Sequence, residues 1–185
     1  MEAFLVSTAT VAIAEIGDKT QLLSLLLVAK FRNRTGIILG ILTATLLNHG
    51  VSAWFGVWLS SFLENGWASW IIGGSFIAVG LWLLIPEQEE KPDSRFDKYG
   101  VFLVTTLLFF LAEIGDKTQI ATVILGAQYQ SISMVTIGTT LGMLAANVPV
   151  ICWGPRLLKK VPLHITRWIG AALFVILGLS AILWG

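Results

Sequence analysis

Six long apolar stretches dominate the sequence and limit what the chain can fold into. They cover about residues 3–29, 36–61, 67–85, 99–126, 131–153 and 165–184. A helix needs about 20 mainly apolar residues to cross a bilayer, where its backbone groups must be satisfied within the segment. With 56% hydrophobic and 12% charged residues and a mean hydropathy of +0.82, the chain has too little polar surface for a water-soluble globule. The sequence therefore predicts an all-α, polytopic membrane protein with six transmembrane helices in contact with lipid.

The start of the chain, its cysteine content and its net charge argue against a signal peptide, a disulfide-bonded protein and a nucleic-acid-binding protein. The first span follows Met1-Glu2 without a preceding basic segment, so we expect a retained span and not a signal peptide. Cys152 is the only cysteine, which excludes an internal disulfide and a cysteine-rich metal site. The net charge is +1 and no basic patch carries interleaved aromatic residues, so no nucleic-acid partner is expected. The sequence leaves open whether the chain forms a homo-oligomer.

Basic residues lie on alternate connections between the predicted spans. Ten of the twelve Lys and Arg residues are found there: Lys30, Arg32, Arg34, Lys91, Arg95, Lys98, Arg156, Lys159, Lys160 and Arg167. The connections near 62–66 and 127–130 contain none, and neither do the two ends of the chain. By the positive-inside rule, the basic side is cytoplasmic and both termini are expected to face outward.

The segment AEIGDKTQ occurs twice, at residues 14–21 and again 98 positions later at 112–119. The same offset aligns Trp70 with Trp168 and Gly80 with Gly178, and a slip of one residue aligns Asn48 with Asn147. The chain is therefore interpreted as a duplicated three-helix unit. Because three is odd, the second unit enters the membrane from the opposite face, which makes the two repeats inverted.

This duplication predicts the organisation of the whole chain. We expect a first three-helix repeat at 1–85, a cytoplasmic linker at 86–98 and a second three-helix repeat at 99–185, together forming one membrane domain. Inverted repeats with functional residues near the midplane are the architecture of many secondary transporters, in which the two halves rock around a shared site.

Each copy of the repeated segment places a glutamate, an aspartate and a lysine near the middle of a predicted span. Six charged side chains would cost on the order of 15–20 kcal/mol if they faced lipid, so they must face inward. On a continuous helix, the spacing i, i+3, i+4 would project all three from one face. Gly17 and Gly115 would alternatively let the helix loosen and expose carbonyl groups as further ligands.

The charges of the two copies do not cancel. Four carboxylates and two ammonium groups leave a net charge of −2, which one divalent cation or two protons would neutralise. Exchange between these two states is antiport in outline. Burial and like charge both disfavour an ionised carboxylate, so an empty site should hold at least one proton that an arriving cation displaces. A purely structural alternative is a pair of buried ion pairs that fix helix register.

The ligand types at hand are hard oxygen donors, which suit Ca²⁺, Mn²⁺ or Mg²⁺. The predicted metal ligands are Glu15, Asp18, Glu113, Asp116, Asn48, Asn147, Gln21 and Gln119. The residues predicted to balance charge or couple protons are Lys19, Lys117, Glu15 and Glu113. Candidates for lining the ion path are Thr20, Thr118, Thr8, Thr106 and His49. For the amides and hydroxyls, hydrogen bonds within or between helices are the alternative, and for His49 the alternatives are proton transfer and packing.

No signature of an enzyme is present. The sequence contains no Ser/His/Asp set, HExxH motif, phosphate-binding loop or cysteine pair, so we expect neither catalytic residues nor a cofactor. Two other transport functions stay open: a passive divalent-cation channel, which would need a continuous polar path, and an exporter of a small cationic organic solute.

The paired E-Φ-G-D-K-T segments closely resemble those of the Gdt family of cation/proton exchangers. Eukaryotic members of that family serve Golgi and chloroplast membranes, and bacterial members export manganese. Both copies are complete, at 15–20 and 113–118, and the likeness covers essentially the whole chain. The resemblance implies export of Mn²⁺, or of Ca²⁺, from the cytosol in exchange for protons, with the motif acids as ligands. The small size of the chain and the absence of a targeting segment predict a prokaryotic inner-membrane member of that family.

Overall fold

The computed structural model describes residues 1–63, 65–85, 100–154 and 163–184, and these residues are helical almost throughout. The helices are α1 (Glu2–Glu15), α2 (Lys19–Phe31), α3 (Arg34–Ser60), α4 (Asn65–Leu83), α5 (Val101–Glu113), α6 (Lys117–Tyr129), α7 (Ile132–Trp153) and α8 (Leu163–Trp184). The linker predicted at 86–98 lies outside the described residues.

The helices α3, α4, α7 and α8 correspond to the second, third, fifth and sixth predicted spans, with ends that differ by at most two residues. The first and fourth predicted spans differ, because each consists of two shorter helices. Both interruptions fall inside the repeated segment, at residues 16–18 and 114–116.

Within the described residues, three helices are long and apolar enough to cross a bilayer: Arg34–Ser60, Ile132–Trp153 and His164–Trp184. Shorter apolar helices cover Trp67–Leu83 and Val101–Glu113. Large apolar side chains on the outside of the bundle, among them Trp54 and Trp168, are exposed. An apolar exterior of this kind fits a lipid environment, so the chain is an integral membrane protein.

The interruptions follow from the two glycines in the repeated segment. Gly17 has a φ of 84° and Gly115 a φ of 75°, in the left-handed region that glycine enters without steric cost. The residues before them, Ile16 and Ile114, are extended and close α1 and α5. The chain thus adopts the loosened alternative and not the continuous helix, so two helix C-termini and two helix N-termini end inside the bundle.

The helices of the two halves pack against each other. The helix α3 of the first half lies against α5 and α6 of the second, α7 lies against α1 and α2, and α4 packs on α8. Glycines permit the close approach, since a Cβ on Gly40 would lie 2.9 Å from the carbonyl oxygen of Phe102. A Cβ on Gly138 would lie 2.7 Å from the carbonyl oxygen of Phe4. These two contacts occupy matching positions in the two repeats.

The glycine contacts also show the direction of neighbouring helices. Gly138 meets Phe4 and Gly142 meets Thr8, so α1 and α7 run parallel. Across the other pair, Gly73 meets Gly178 while Gly80 meets residue 171. The helices α4 and α8 are therefore antiparallel.

Candidate metal centre

Three carboxylates from the two halves converge where the interrupted helices end. Glu15 is the last residue of α1, Asp18 is the N-cap of α2 and Asp116 is the N-cap of α6. One ligand atom from each lies within 4.8 Å of the other two. Two oxygens bound to the same divalent cation are at most about 4–5 Å apart, given metal–oxygen distances of about 2.0–2.6 Å. The three carboxylates are therefore close enough to be candidate ligands of one cation.

Glu15 is the most enclosed of the three, with no exposed surface. Its Oε2 accepts a hydrogen bond from the hydroxyl of Thr20 in the same motif. Its Oε1 has no hydrogen-bond partner among the described residues. The partial negative charge at the C-terminus of α1 adds to the attraction for a cation. The unsatisfied oxygen is thus suited to metal ligation.

Each motif lysine has a partner outside its own motif. The Nζ atom of Lys19 lies 3.8 Å from Oδ2 of Asp116, which gives an ion pair between the first motif and the second. The Nζ atom of Lys117 donates a hydrogen bond of 2.9 Å to the carbonyl of Ile85. It also lies 5.8 Å from the centre of the Trp82 ring. Lys19 is therefore positioned to offset part of the charge of the carboxylate cluster.

Glu113 is fully buried and takes its partners from α3 of the other half. Its Oε1 accepts a hydrogen bond of 3.1 Å from Thr45, and its Oε2 accepts one of 3.4 Å from Asn48. The Nε2 atom of His49 lies 3.5 Å from the same Oε2. Thr45 was not a sequence candidate. The available signal was its position one turn before Asn48, on the same face of an apolar helix.

The glutamine side chains of the two motifs accept hydrogen bonds from the backbone where the helices are interrupted. Oε1 of Gln21 accepts a hydrogen bond of 2.9 Å from the Gly17 amide, and Oε1 of Gln119 accepts one of 2.7 Å from the Gly115 amide. The Gln21 amide nitrogen also donates to the carbonyl of Ala146, at 2.8 Å. These bonds satisfy backbone groups that a continuous helix would have paired. Metal ligation by either glutamine stays a prediction, since an amide oxygen that accepts one hydrogen bond keeps a second lone pair.

Asn147 is buried between α2 and α7. Its Oδ1 accepts a hydrogen bond of 2.8 Å from Ser24, and its Nδ2 donates one of 3.1 Å to the carbonyl of Met143. Both ends of the amide thus take part in helix packing, which is the alternative that the sequence left open for it.

The threonines proposed to line the path fall into two groups. Thr8 and Thr106 donate hydrogen bonds of 2.8 Å to the carbonyls of Phe4 and Phe102 in their own helices. Thr118 is buried, and its hydroxyl has no hydrogen-bond partner in the part of the chain that the structure describes. Thr20 alone among the four donates to a motif carboxylate.

A carboxylate cluster at the meeting point of two repeated halves, enclosed by an apolar helical bundle, defines a membrane protein with a candidate cation site. The family model described as "Divalent cation/proton antiporter GDT1" matches residues 3–91 and 101–185. The chain belongs to this GDT1 family of divalent cation/proton antiporters, which confirms the resemblance noted from the paired motifs. It is a family of transporters and not of enzymes.

Relatives from bacteria and plants match over nearly the whole chain. A Vibrio cholerae protein named "Putative manganese exporter" is 47% identical over 181 residues, covering 97% of this chain and 90% of the relative. An Arabidopsis thaliana "GDT1-like protein 5" is 24% identical over 221 residues, covering 99% and 96%. An Oryza sativa "GDT1-like protein 4" is 26% identical over 206 residues, covering 97% and 73%. No solved structure matches the chain.

Proposed function

We propose that this protein is a secondary transporter that exports Mn²⁺ from the cytosol in exchange for protons. The proposal rests on the proximity of the Glu15, Asp18 and Asp116 carboxylates, whose ligand atoms lie within 4.8 Å of one another. Carboxylate oxygens suit Mn²⁺ and Ca²⁺, and the name of the 47% identical relative favours manganese. Ca²⁺ is the second candidate cation.

Exchange of the cation for protons follows from the negative charge of the carboxylate cluster. Three ionised carboxylates near one another repel, so the cluster is stable when it holds either a divalent cation or protons. Entry of the cation displaces protons, and entry of protons releases the cation. The ammonium of Lys19, 3.8 Å from Asp116, limits the negative charge while neither is bound.

Alternating access between two inverted repeats is the proposed conformational mechanism. Six membrane-crossing segments in two inverted units require α1 to run parallel to α7, and α4 to run antiparallel to α8. The glycine contacts have these directions. The two halves would then rock around the carboxylates that lie between them. The basic residues Lys30, Arg32 and Arg34 favour a cytoplasmic position for the turn between α2 and α3, with the termini outside and the protein in a bacterial inner membrane.

The test is Mn²⁺ flux into proteoliposomes with an imposed pH gradient. We expect the gradient to drive uptake, and we expect Glu15→Gln and Glu113→Gln each to abolish it nearly completely. Glu2→Gln is the matched control, because Glu2 is an exposed acid at the start of α1. This control should transport at the parent rate.

The outcomes separate the proposed function from its alternatives. Flux that ignores the pH gradient would indicate a channel. Transport of Ca²⁺ but not Mn²⁺ would retain the exchange mechanism and correct the substrate. Full exchange activity in both glutamine variants would remove the motif glutamates from the mechanism.

A further inference from the structure

His49 is a buried histidine that packing does not explain. It has no exposed surface, and neither ring nitrogen has a hydrogen-bond partner among the described residues. A buried polar group without a partner is costly, and native proteins nearly always pair such groups. A role for this imidazole must therefore include something that its nitrogens bind.

The imidazole is aimed at Glu113. The Nε2 atom lies 3.5 Å from Oε2 of that carboxylate, and both side chains are fully buried. This separation is too long for a good hydrogen bond, which falls at about 2.7–3.2 Å. It does match the spacing of two adjacent ligands on one metal ion. With metal–nitrogen and metal–oxygen distances of about 2.0–2.2 Å, neighbouring ligand atoms lie about 3.0–3.6 Å apart.

The neighbouring side chains complete a polar surface around this gap. Thr45 and Asn48 lie on the same helix as His49 and contact the same carboxylate, at 3.1 and 3.4 Å. This surface is formed by α3 and the end of α5. Glu113 is not among the three carboxylates, of Glu15, Asp18 and Asp116, whose ligand atoms lie within 4.8 Å of one another.

We propose that His49 and Glu113 form a second cation seat that takes a divalent transition metal, with the imidazole Nε2 and a carboxylate oxygen as ligands. The inference rests on the proposed function and deepens it, because it assigns a residue that selects the cation. Ca²⁺ and Mg²⁺ take oxygen ligands, whereas transition-metal ions also accept an imidazole nitrogen. A histidine in this seat therefore favours Mn²⁺ over Ca²⁺ and Mg²⁺.

The seat belongs to one half of the chain. The helices α3 and α7 begin 98 residues apart and keep that offset in the matched contacts of Gly40 and Gly138, so Asn147 stands opposite His49, not opposite Asn48, and Met143 stands opposite Thr45. An amide nitrogen has no lone pair for a metal. The second half therefore has no equivalent nitrogen ligand on α7, and the two motif glutamates have different surroundings although their motifs are identical.

The test is pulsed electron paramagnetic resonance of Mn²⁺ bound to the purified full-length protein in lipid nanodiscs. The chain contains two histidines, His49 and His164, and His164 is exposed. We expect echo modulation from a directly bound ¹⁴N nucleus, which changes to the ¹⁵N pattern when the protein is grown with ¹⁵N-labelled histidine. This arm needs no variant, so a folding defect cannot affect it.

Two variants assign the nitrogen and its consequence. His49→Gln should remove the modulation, and His164→Gln should retain it. In competition titrations, His49→Gln should lower the preference for Mn²⁺ over Ca²⁺ by roughly tenfold or more. Substitution of even a residue that only supports a metal ligand typically changes metal affinity 10–100-fold.

The inference and the proposed function fail in different ways. Mn²⁺ that binds without a histidine nitrogen signal, or an unchanged ion preference in His49→Gln, overturns the second seat and leaves Mn²⁺/proton exchange standing. A parent protein that neither binds nor transports Mn²⁺ overturns the proposed function, and the seat with it.

Discussion

The substitution Gly115→Ala isolates the contribution of the helix interruption to the structure. Gly115 has a φ of 75°, and a Cβ added there would meet no other atom within 4 Å. The cost of alanine is therefore the backbone conformation alone. A left-handed conformation costs a residue with a Cβ roughly 1–2 kcal/mol. That cost corresponds to a factor of about 5–30 in the equilibrium between folded and unfolded protein.

The control for this experiment is Gly74→Ala. Gly74 lies within α4, and a Cβ there also meets nothing within 4 Å. Alanine in a helix is preferred over glycine by roughly 0.5–1 kcal/mol, so this variant should be slightly more stable than the parent. Gly115→Asn should fall between the parent and Gly115→Ala, because asparagine enters the left-handed region more readily than alanine.

The assay is reversible unfolding in mixed micelles, followed by Mn²⁺ transport at matched protein amounts. We expect stability in the order Gly74→Ala, parent, Gly115→Asn, Gly115→Ala, with the lowest transport in the last. If Gly115→Ala equalled Gly74→Ala in both measurements, the interruption would not depend on a left-handed residue and the reasoning would be refuted.

Two further predictions concern matched positions of the two motifs. Thr20→Val should lower the free energy of unfolding by about 1–3 kcal/mol, because Glu15 loses a buried hydrogen-bond donor. Thr118→Val should be nearly neutral, because the Thr118 hydroxyl has no hydrogen-bond partner among the described residues. Equal losses of stability in thermal or denaturant unfolding would contradict this prediction. Lys19→Gln should lower the dissociation constant for Mn²⁺, because it removes a positive charge 3.8 Å from Asp116. Lys19→Arg keeps the charge and should bind Mn²⁺ like the parent. Weaker binding by Lys19→Gln in an equilibrium titration would show that the lysine does not act through repulsion of the cation.

The helix content could be predicted from apolar length, but the interruptions could only be offered as an alternative. A glycine in a helix costs only about 1 kcal/mol relative to alanine, so Gly17 by itself does not predict that a helix ends. The decisive contacts are the bonds from the Gly17 and Gly115 amides to the glutamines four residues later. Those glutamines were predicted as metal ligands from their chemistry. A hydrogen bond to the backbone uses the same oxygen, and sequence alone does not separate the two.

The sequence predicts which acidic residues form the metal centre, but not which of them lie together in the structure. The duplication predicts that the two motifs meet, and the ion pair between Lys19 and Asp116 shows that they are in contact. Their position at the membrane midplane stays a prediction. The sequence predicts Glu15, Asp18, Glu113 and Asp116 together as metal ligands, whereas in the structure Glu15 groups with Asp18 and Asp116. Glu113 bonds instead to α3. This division depends on side chains outside the motifs, so a comparison of the motifs alone cannot show it.

A duplicated chain carries a second signal in the buried positions where its halves disagree. Where both halves keep the same residue, as at Gly40 and Gly138, the shared residue serves a contact that both halves make. Where one half has a buried polar residue and the other an apolar one, the polar residue must be satisfied by something that only one half contacts. At the offset of 98 that α3 and α7 keep, Thr45 and His49 stand opposite Met143 and Asn147. Thr45 and His49 both lie against Glu113, whereas Asn147 accepts a hydrogen bond from Ser24. Mismatched polar positions on the helices that follow each motif therefore indicate where two identical motifs take on different chemistry.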